Sequence, residues 1–216
     1  YGLCTDDSVV GSWFYVMGMV DGRTIWNGAI PGASPEERRA VYCEMFDVLA
    51  KLHNTDIEAA GLSEFGKPGN YFGRQVDRWT KQYRLSETET MPGMERLIEW
   101  LPATLPEQTR TSVVHGDFRI DNAIFDHNGP KCLAVLDWEL STIGDPLADF
   151  SYVAMAWVTE NGGRSGVKDL DRKALGIPEL EEMVERYCAA TGRDSIPDMN
   201  WYLAYNFFRL AGIMQG

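Results

Sequence analysis

The chain has 216 residues, 44% of them apolar, and carries 32 acidic against 20 basic side chains for a net charge of −12. That length holds one large domain or two small ones around a real core. There is no Lys/Arg cluster of the kind that tracks a phosphate backbone, and the acidic surface is a poor match for an anionic membrane, so neither nucleic acid nor a lipid surface is expected as a partner.

No apolar run approaches the ~18 residues of a membrane span, and no signal-peptide pattern opens the chain. Cys4, Cys43, Cys132 and Cys188 lie far apart and form no Cys-x-x-Cys pair. That spacing points to reduced thiols in a cytoplasmic protein rather than a disulfide framework. The chain opens at Tyr1 without an initiator Met and stops at Gly216, directly after an apolar helical stretch. Both ends are expected to be cuts in a longer protein.

Residues 12–20 are β-branched, aromatic and apolar, and predict a buried strand. Asp21-Gly22 turns the chain. Ser34-Pro35-Glu36-Glu37 starts a helix, with Ser as cap, Pro at the first helical position and Glu closing a capping box. Val41, Met45, Val48 and Leu52 give that helix one apolar face to about residue 54. A Gly- and Pro-containing loop covers 55–70. Phe72, Val76, Trp79 and Tyr83 define a second helix, a polar loop takes 84–92, and Met94, Leu97, Ile98 and Leu101 give a third, ending before Pro102. Short β patterns follow at 112–115, 123–126 and 132–137, with His127-Asn128-Gly129 turning between the last two. Asp145-Pro146 opens a helix carrying Leu147, Phe150, Val153 and Trp157. A Gly-rich loop fills 161–166, Pro178 opens a helix that Gly192 stops, and a last helix covers about 198–213.

The polar residues concentrate in the β region. His115-Gly116-Asp117 is followed by Asn122, five residues after the aspartate, and then by Asp137-Trp138-Glu139 after an apolar strand. Phosphoryl transfer from a nucleotide needs such a set: one carboxylate to orient an acceptor hydroxyl, and an asparagine oxygen with a second carboxylate to hold Mg²⁺.

The order strand, His-Gly-Asp-x-x-x-x-Asn, strand, hairpin turn, strand, Asp-Trp-Glu resembles the aminoglycoside phosphotransferase family, relatives of the protein kinases. Phe14-Tyr15-Val16-Met17, Phe65-Gly66-Lys67-Pro68-Gly69-Asn70-Tyr71 and Leu136-Asp137-Trp138-Glu139-Leu140-Ser141-Thr142 resemble the branch found as the kinase-like domain of acyl-CoA dehydrogenase family members 10 and 11 and bacterial homologues. The resemblance implies an α+β, protein kinase-like fold. Residues 1–20 would be the end of a truncated β-rich N-terminal lobe with its hinge, and 21–216 a mostly helical C-terminal lobe with a small β unit, its C-terminus also cut.

The resemblance further implies Asp117 as the carboxylate facing the acceptor, Arg119 as a cation near the transferred phosphate, and His115 as an orienting residue. It gives Asn122 and Asp137 as Mg²⁺ ligands and Asp149 as the buried acceptor of bonds from the catalytic loop. Met17, Gly18, Met19 and Val20 would be the hinge, pairing with the adenine of ATP through the backbone at Gly18 and Val20. Gly18 stands where the family commonly has an acidic residue. The family's phosphate-covering loop and Lys–Glu pair lie upstream of the hinge and are not in this sequence. The spacing between Asp137 and Asp149 leaves no room for a long activation segment.

Asp121 is read either as a ligand for a metal or substrate cation or as a solvated loop carboxylate, and Glu139 either as a group supporting the metal site or as one with no part in it. His53 is read as packed or capping, His127 as exposed, Cys132 as strand core, and Tyr71 and Trp79 as following a loop that borders the substrate cleft. The expected function is an ATP- and Mg²⁺-dependent phosphotransferase with a small-molecule hydroxyl acceptor. The implied acceptor is a hydroxyacyl-CoA; an aminoglycoside or a choline-like amino alcohol is the alternative. Other classes are a non-catalytic nucleotide-binding module and a metal-dependent hydrolase using Asp117, Asp121 and Asp137. The oligomeric state, the choice of ATP over GTP and the acceptor itself stay open.

Overall fold

The structure, a computed structural model, describes residues 1–215. A hairpin of β1 (Gly2–Cys4) and β2 (Phe14–Val16) leads into β3 (Arg23–Thr24). Three helices follow: α1 (Pro35–His53), α2 (Tyr71–Ser86) and α3 (Pro92–Ala103). The motif region holds β4 (Ser112–Val114), β5 (Ala123–Phe125), β6 (Cys132–Val135) and β7 (Thr142–Gly144). Then come α4 (Leu147–Ala154), α5 (Arg172–Leu175), α6 (Leu180–Thr191) and α7 (Met199–Gln215). All pairings are antiparallel: β1 with β2, β5 between β3 and β6, and β4 with β7. No described helix is long and apolar enough to cross a membrane.

The helices form where apolar periodicity expects them. The Ser34 hydroxyl accepts the Glu37 amide at 3.2 Å, and Pro35 fills the first turn. The capping box does not close, because the Glu37 carboxylate turns to Arg23 at 2.5 Å. A full guanidinium charge holds a carboxylate more strongly than a neutral backbone amide does. Arg23 also donates to the carbonyls of Asp126 and Gly129, so this pair ties β3 and α1 to the β5–β6 turn.

Aromatic side chains join the helices. Phe72 of α2 packs edge-on to Trp201 and Tyr205 of α7, with centroids 5.1 and 4.9 Å apart. From α1, Phe46 meets Phe150 and Tyr42 meets Trp157, both at 5.5 Å. Helix α4 is buried nearly all round, with only Val153 partly open, and its polar Asp149 and Ser151 are hydrogen-bonded inside. Truncating Phe150, which is fully buried, to Ala costs about 3–5 kcal/mol.

Three expectations need correction. Residues 12–20 are not a buried strand. Only 14–16 are extended, β2 pairs with β1 alone, and Trp13, Tyr15, Met17 and Met19 are exposed. No other described element covers this hairpin, so its apolar composition does not translate into burial. Helix α3 runs through Pro102 to Ala103; a proline's fixed φ is helical, and in a last turn few bonds remain for it to break. Helix α2 continues to Ser86, three residues into the expected loop.

Candidate active site

The site is built on one tight loop. Strand β4 pairs with β7, Val114 opposite Thr142, and delivers His115, Gly116 and Asp117 at its end. Gly116 takes φ +86°, and a Cβ there would lie 2.5 Å from the Leu140 carbonyl oxygen, so angle and room both demand glycine. Asp149, in the first turn of α4 and only 1% exposed, accepts the amides of His115 at 2.6 Å and Gly116 at 2.8 Å. Two charge-assisted bonds from successive amides fix the loop's course.

Behind Asp149 lies His53, fully buried at the end of α1. Its Nε2 is 3.3 Å from Asp149 and its Nδ1 is 2.7 Å from the Tyr187 hydroxyl. Burial pushes the His53 pKa down, so the neutral ring donates to the carboxylate and accepts from the tyrosine. The sequence reads His53 as packed; nothing in its spacing reveals that it supports Asp149.

His115 joins two loops rather than facing solvent. Its Nδ1 accepts the Asp117 amide at 3.2 Å, and its Nε2 lies 2.8 Å from the Leu136 carbonyl. An amide only donates and a carbonyl only accepts, so the ring carries its proton on Nε2. Asn122 makes a second tie. Its Nδ2 donates to the Asp117 carbonyl at 2.8 Å and carboxylate at 3.0 Å, while its own carbonyl accepts the Leu136 amide at 2.8 Å. The next residue, Asp137, sits in the left-handed region at φ 66°, a conformation that favours short polar side chains outside glycine.

The Asp137 carboxylate is exposed and has no hydrogen bond or ion pair among the described residues. With the Asn122 amide nitrogen turned to Asp117, its Oδ1 is free as well. Mg²⁺ keeps several waters and takes only one or two protein carboxylates, so this pair fits such a cation. No cluster of three or more His, Cys, Asp or Glu side chains is placed for a metal among the described residues.

Arg119 lies 3.7 Å from Asp117 and 2.9 Å from Asp121. Asp121 is therefore not solvated; it is 11% exposed, its Oδ2 pairs with the arginine, and its Oδ1 is buried without a hydrogen bond. Burial lowers and the two aspartates raise the Arg119 pKa, and the aspartates prevail. Its Nε, the atom that faces Asp117, makes no hydrogen bond. Tyr152 of α4 stands beside Asp117; burial first, and that carboxylate second, push its hydroxyl up to about 12. Sequence reading missed Tyr152, which sits in a helix apolar enough to be taken as core alone.

Met17, Gly18, Met19 and Val20 follow β2 as exposed irregular chain and line neither cavity described next. Two cavities flank the loop. One, of about 430 Å³, is mostly apolar and runs from Arg119 and Tyr152 past Met155 and Trp157 to Phe207 and Met214. The other, of about 220 Å³, is polar and lies between Gly116, Glu139, Trp79 and Arg209. Tyr71 borders it with Trp79. Glu139 faces this second cavity and makes no bond to Asp137.

Comparison with known proteins identifies the family and the fold. The model of the phosphotransferase enzyme family matches residues 1–202. Mouse acyl-CoA dehydrogenase family member 10 is 47% identical over 216 residues, which are 99% of this chain and only 20% of that protein. A Ralstonia eutropha JMP134 protein assigned provisionally to the aminoglycoside phosphotransferases superposes with a TM-score of 0.94 at 51% identity, over 100% of this chain and 66% of the other. A Streptomyces rimosus aminoglycoside phosphotransferase, solved with ADP and streptomycin, shares the fold at 20% identity and a TM-score of 0.55, over 82% of this chain and 65% of that one. The fold is the α+β, kinase-like one of these proteins.

Proposed function

The chain belongs to the phosphotransferase enzyme family, and from that premise we propose that it transfers the γ-phosphoryl group of ATP, with Mg²⁺, to a hydroxyl of a small molecule. The observation that carries the reading is the double tie of Asn122 to Asp117, one residue's backbone bond away from an unpartnered Asp137. It supports the reading in which a proton acceptor and two cation ligands share one loop pair.

In this mechanism Asp117 accepts the proton of the acceptor hydroxyl. The hydroxyl oxygen bonds to the γ-phosphorus, the bridge to the β-phosphate breaks, and ADP leaves. Arg119, whose Nε beside Asp117 makes no hydrogen bond, donates to the charge that develops on the moving group. Asn122 Oδ1 and Asp137 would hold Mg²⁺, which when bound neutralises the phosphates. His115 and Asp149 keep the loop in place. Residues 1–20 act as the end of a second, β-rich lobe, and the free backbone of Gly18 and Val20 pairs with adenine. The four cysteines are free thiols, which suits a reducing, cytoplasmic setting.

For the acceptor we favour a hydroxyacyl-CoA. The support is the likeness to an acyl-CoA dehydrogenase family member together with the apolar cavity beside Arg119 and Tyr152, which suits an aliphatic chain. An aminoglycoside or amino alcohol would find a single carboxylate there, Glu160. A metal-dependent hydrolase would need Asp121 at a metal, and Asp121 is held by Arg119. The test is incubation with Mg-ATP and panels of hydroxyacyl-CoAs, amino alcohols and aminoglycosides, with products read by mass spectrometry. One added phosphoryl group on a hydroxyacyl-CoA is the expected result. ATP hydrolysis with no acceptor modified by any panel overturns the phosphotransferase reading.

A further inference from the structure

Arg209 of α7 is 93% buried, as its 7% exposure shows, yet it has no hydrogen bond and no ion pair among the described residues. Its guanidinium lies over two rings instead, 5.6 Å from Trp79 and 4.9 Å from Tyr152. A second arginine, Arg78, covers Trp79 at 5.4 Å and is also without a carboxylate partner. Both arginines line the polar cavity of about 220 Å³. The Trp79 indole nitrogen, buried in its wall, has no partner either.

Burying a guanidinium without an anion is unfavourable, and ring faces compensate only part of the lost hydration. Proteins ordinarily satisfy such a group with a carboxylate or phosphate, often bidentately. Glu139 is the only carboxylate lining this cavity and reaches neither arginine. The cavity touches Gly116, which precedes Asp117, and Tyr152 bridges Arg209 to Asp117 from the other side. An anion held by Arg209 is therefore close to the candidate base.

We propose that the Arg209–Trp79–Arg78 pocket is an acceptor subsite for an anionic group, a carboxylate or a phosphate ester, carried by the same molecule whose hydroxyl meets Asp117. Arg209 supplies the buried, fixed charge. Arg78 supplies an exposed, mobile one at the mouth. The indole contacts both cations and offers one further donor. Choline-like and aminoglycoside acceptors, which carry positive charge, are disfavoured by the same two residues. The proposal rests on the phosphotransferase reading for what the pocket serves, but not for whether it binds an anion.

The probes are short ω-hydroxycarboxylates from glycolate to 6-hydroxyhexanoate, and glycerol 1-phosphate, with the matching amino alcohols and diols as cationic and neutral controls. Binding is followed by the indole N–H resonance of Trp79, assigned with Trp79→Phe. Anionic probes are expected to bind at least ~10-fold tighter than the amino alcohols, the scale of one charge-assisted hydrogen bond, and Arg209→Gln to erase the difference. Arg209→Lys should retain part of it. Arg78 is exposed, so Arg78→Gln folds regardless of the fate of the Arg209 variants; it should weaken the anions by a few-fold. Carboxylate and phosphate ester arms separate the two sources of charge. Equal or tighter binding of amino alcohols, no Trp79 response to any anion, or parental anion affinity in Arg78→Gln and Arg209→Gln overturns the proposal. Anions that bind at Trp79 but are never phosphorylated with Mg-ATP would leave the pocket standing and remove the phosphotransferase reading. Equal phosphorylation of acceptors with and without an anion does the reverse.

Discussion

The Asn122 side-chain nitrogen bonds Asp117 twice, at its backbone carbonyl at 2.8 Å and at its carboxylate Oδ2 at 3.0 Å. The other carboxylate oxygen is left toward Arg119 at 3.7 Å. One oxygen is thereby fixed and one remains to receive a proton. Asp117→Asn keeps the shape and removes that capacity. Turnover should fall ~10²–10⁴-fold, the usual worth of a positioned base, while calorimetry shows little change in nucleotide affinity. Unaltered turnover would remove Asp117 from its role.

Asp137 tolerates φ 66° in part because Asp and Asn enter the left-handed region more readily than other side chains. Asp137→Asn should therefore keep the backbone and lose only the charge. Magnesium-dependent nucleotide binding should weaken by ~10²-fold or more, since even groups that merely support metal ligands act on that scale. Titration with ATP in the presence and absence of Mg²⁺ decides; identical isotherms for variant and parent would show that Asp137 is no ligand.

Asp149 accepts two amides in the interior. Asp149→Ala leaves both unsatisfied, at ~1–3 kcal/mol each. Urea unfolding should show a loss of ~2–5 kcal/mol, the range of broken buried networks. Asp149→Asn can still accept one amide and should lie between. A loss below ~1 kcal/mol for the Ala variant would mean that the loop holds its course without this carboxylate.

Asp145, 2% exposed, has its carboxyl pushed by burial from an ordinary 3.8 up to about 6, with Arg193 and the Leu147 amide only partly opposing. The folded protein thus retains this proton in a pH range where the unfolded chain has released it. Stability tied to Asp145 is whole below pH 3.8, declines as pH rises to about 6, and is flat above. Asparagine can also accept the Leu147 amide, so Asp145→Asn keeps that bond without the buried charge. The variant should match the parent near the low end of this window and exceed it by ~2–3 kcal/mol at pH 8. Thermal or urea melts across that span check both the sign and the window; a variant less stable at pH 8 contradicts the argument.

The long helices were legible because their apolar faces repeat over several turns. Of the α1 face, Val41 and Met45 are buried and Val48 and Leu52 half-buried, and in α2 Phe72, Val76 and Trp79 are all buried. The β5–β6 hairpin was legible from His127-Asn128-Gly129, whose turn chemistry is local. The hairpin at the start misled, since a run such as Trp13–Val16 reports apolar character but not whether a second layer exists to cover it. Strands β1 and β3 and helix α5 are too short to show any period. Within the site, residues close in sequence, His115 to Asn122, announced themselves by spacing. His53 lies 96 residues from Asp149, and no local pattern links them. Arg209 offered one signal, a lone charge inside the apolar run Phe207-Phe208-Arg209-Leu210, which on the buried side of a helix marks a group awaiting a partner.

The bonds that gather His115, Asp117, Asn122 and Asp137 run almost wholly between main-chain atoms and side chains within residues 115–149. The walls of the two flanking cavities come largely from α2, α7 and the segment around 155–166. On the proposed reading, transfer chemistry and choice of guest are thus encoded in largely different stretches of chain. Evolution, or an engineer, can exchange Gln75, Arg78, Phe207 or Met214 to admit a different molecule while leaving the reactive loop untouched. A modular division of this kind lets one scaffold diversify its clientele by surface revision alone.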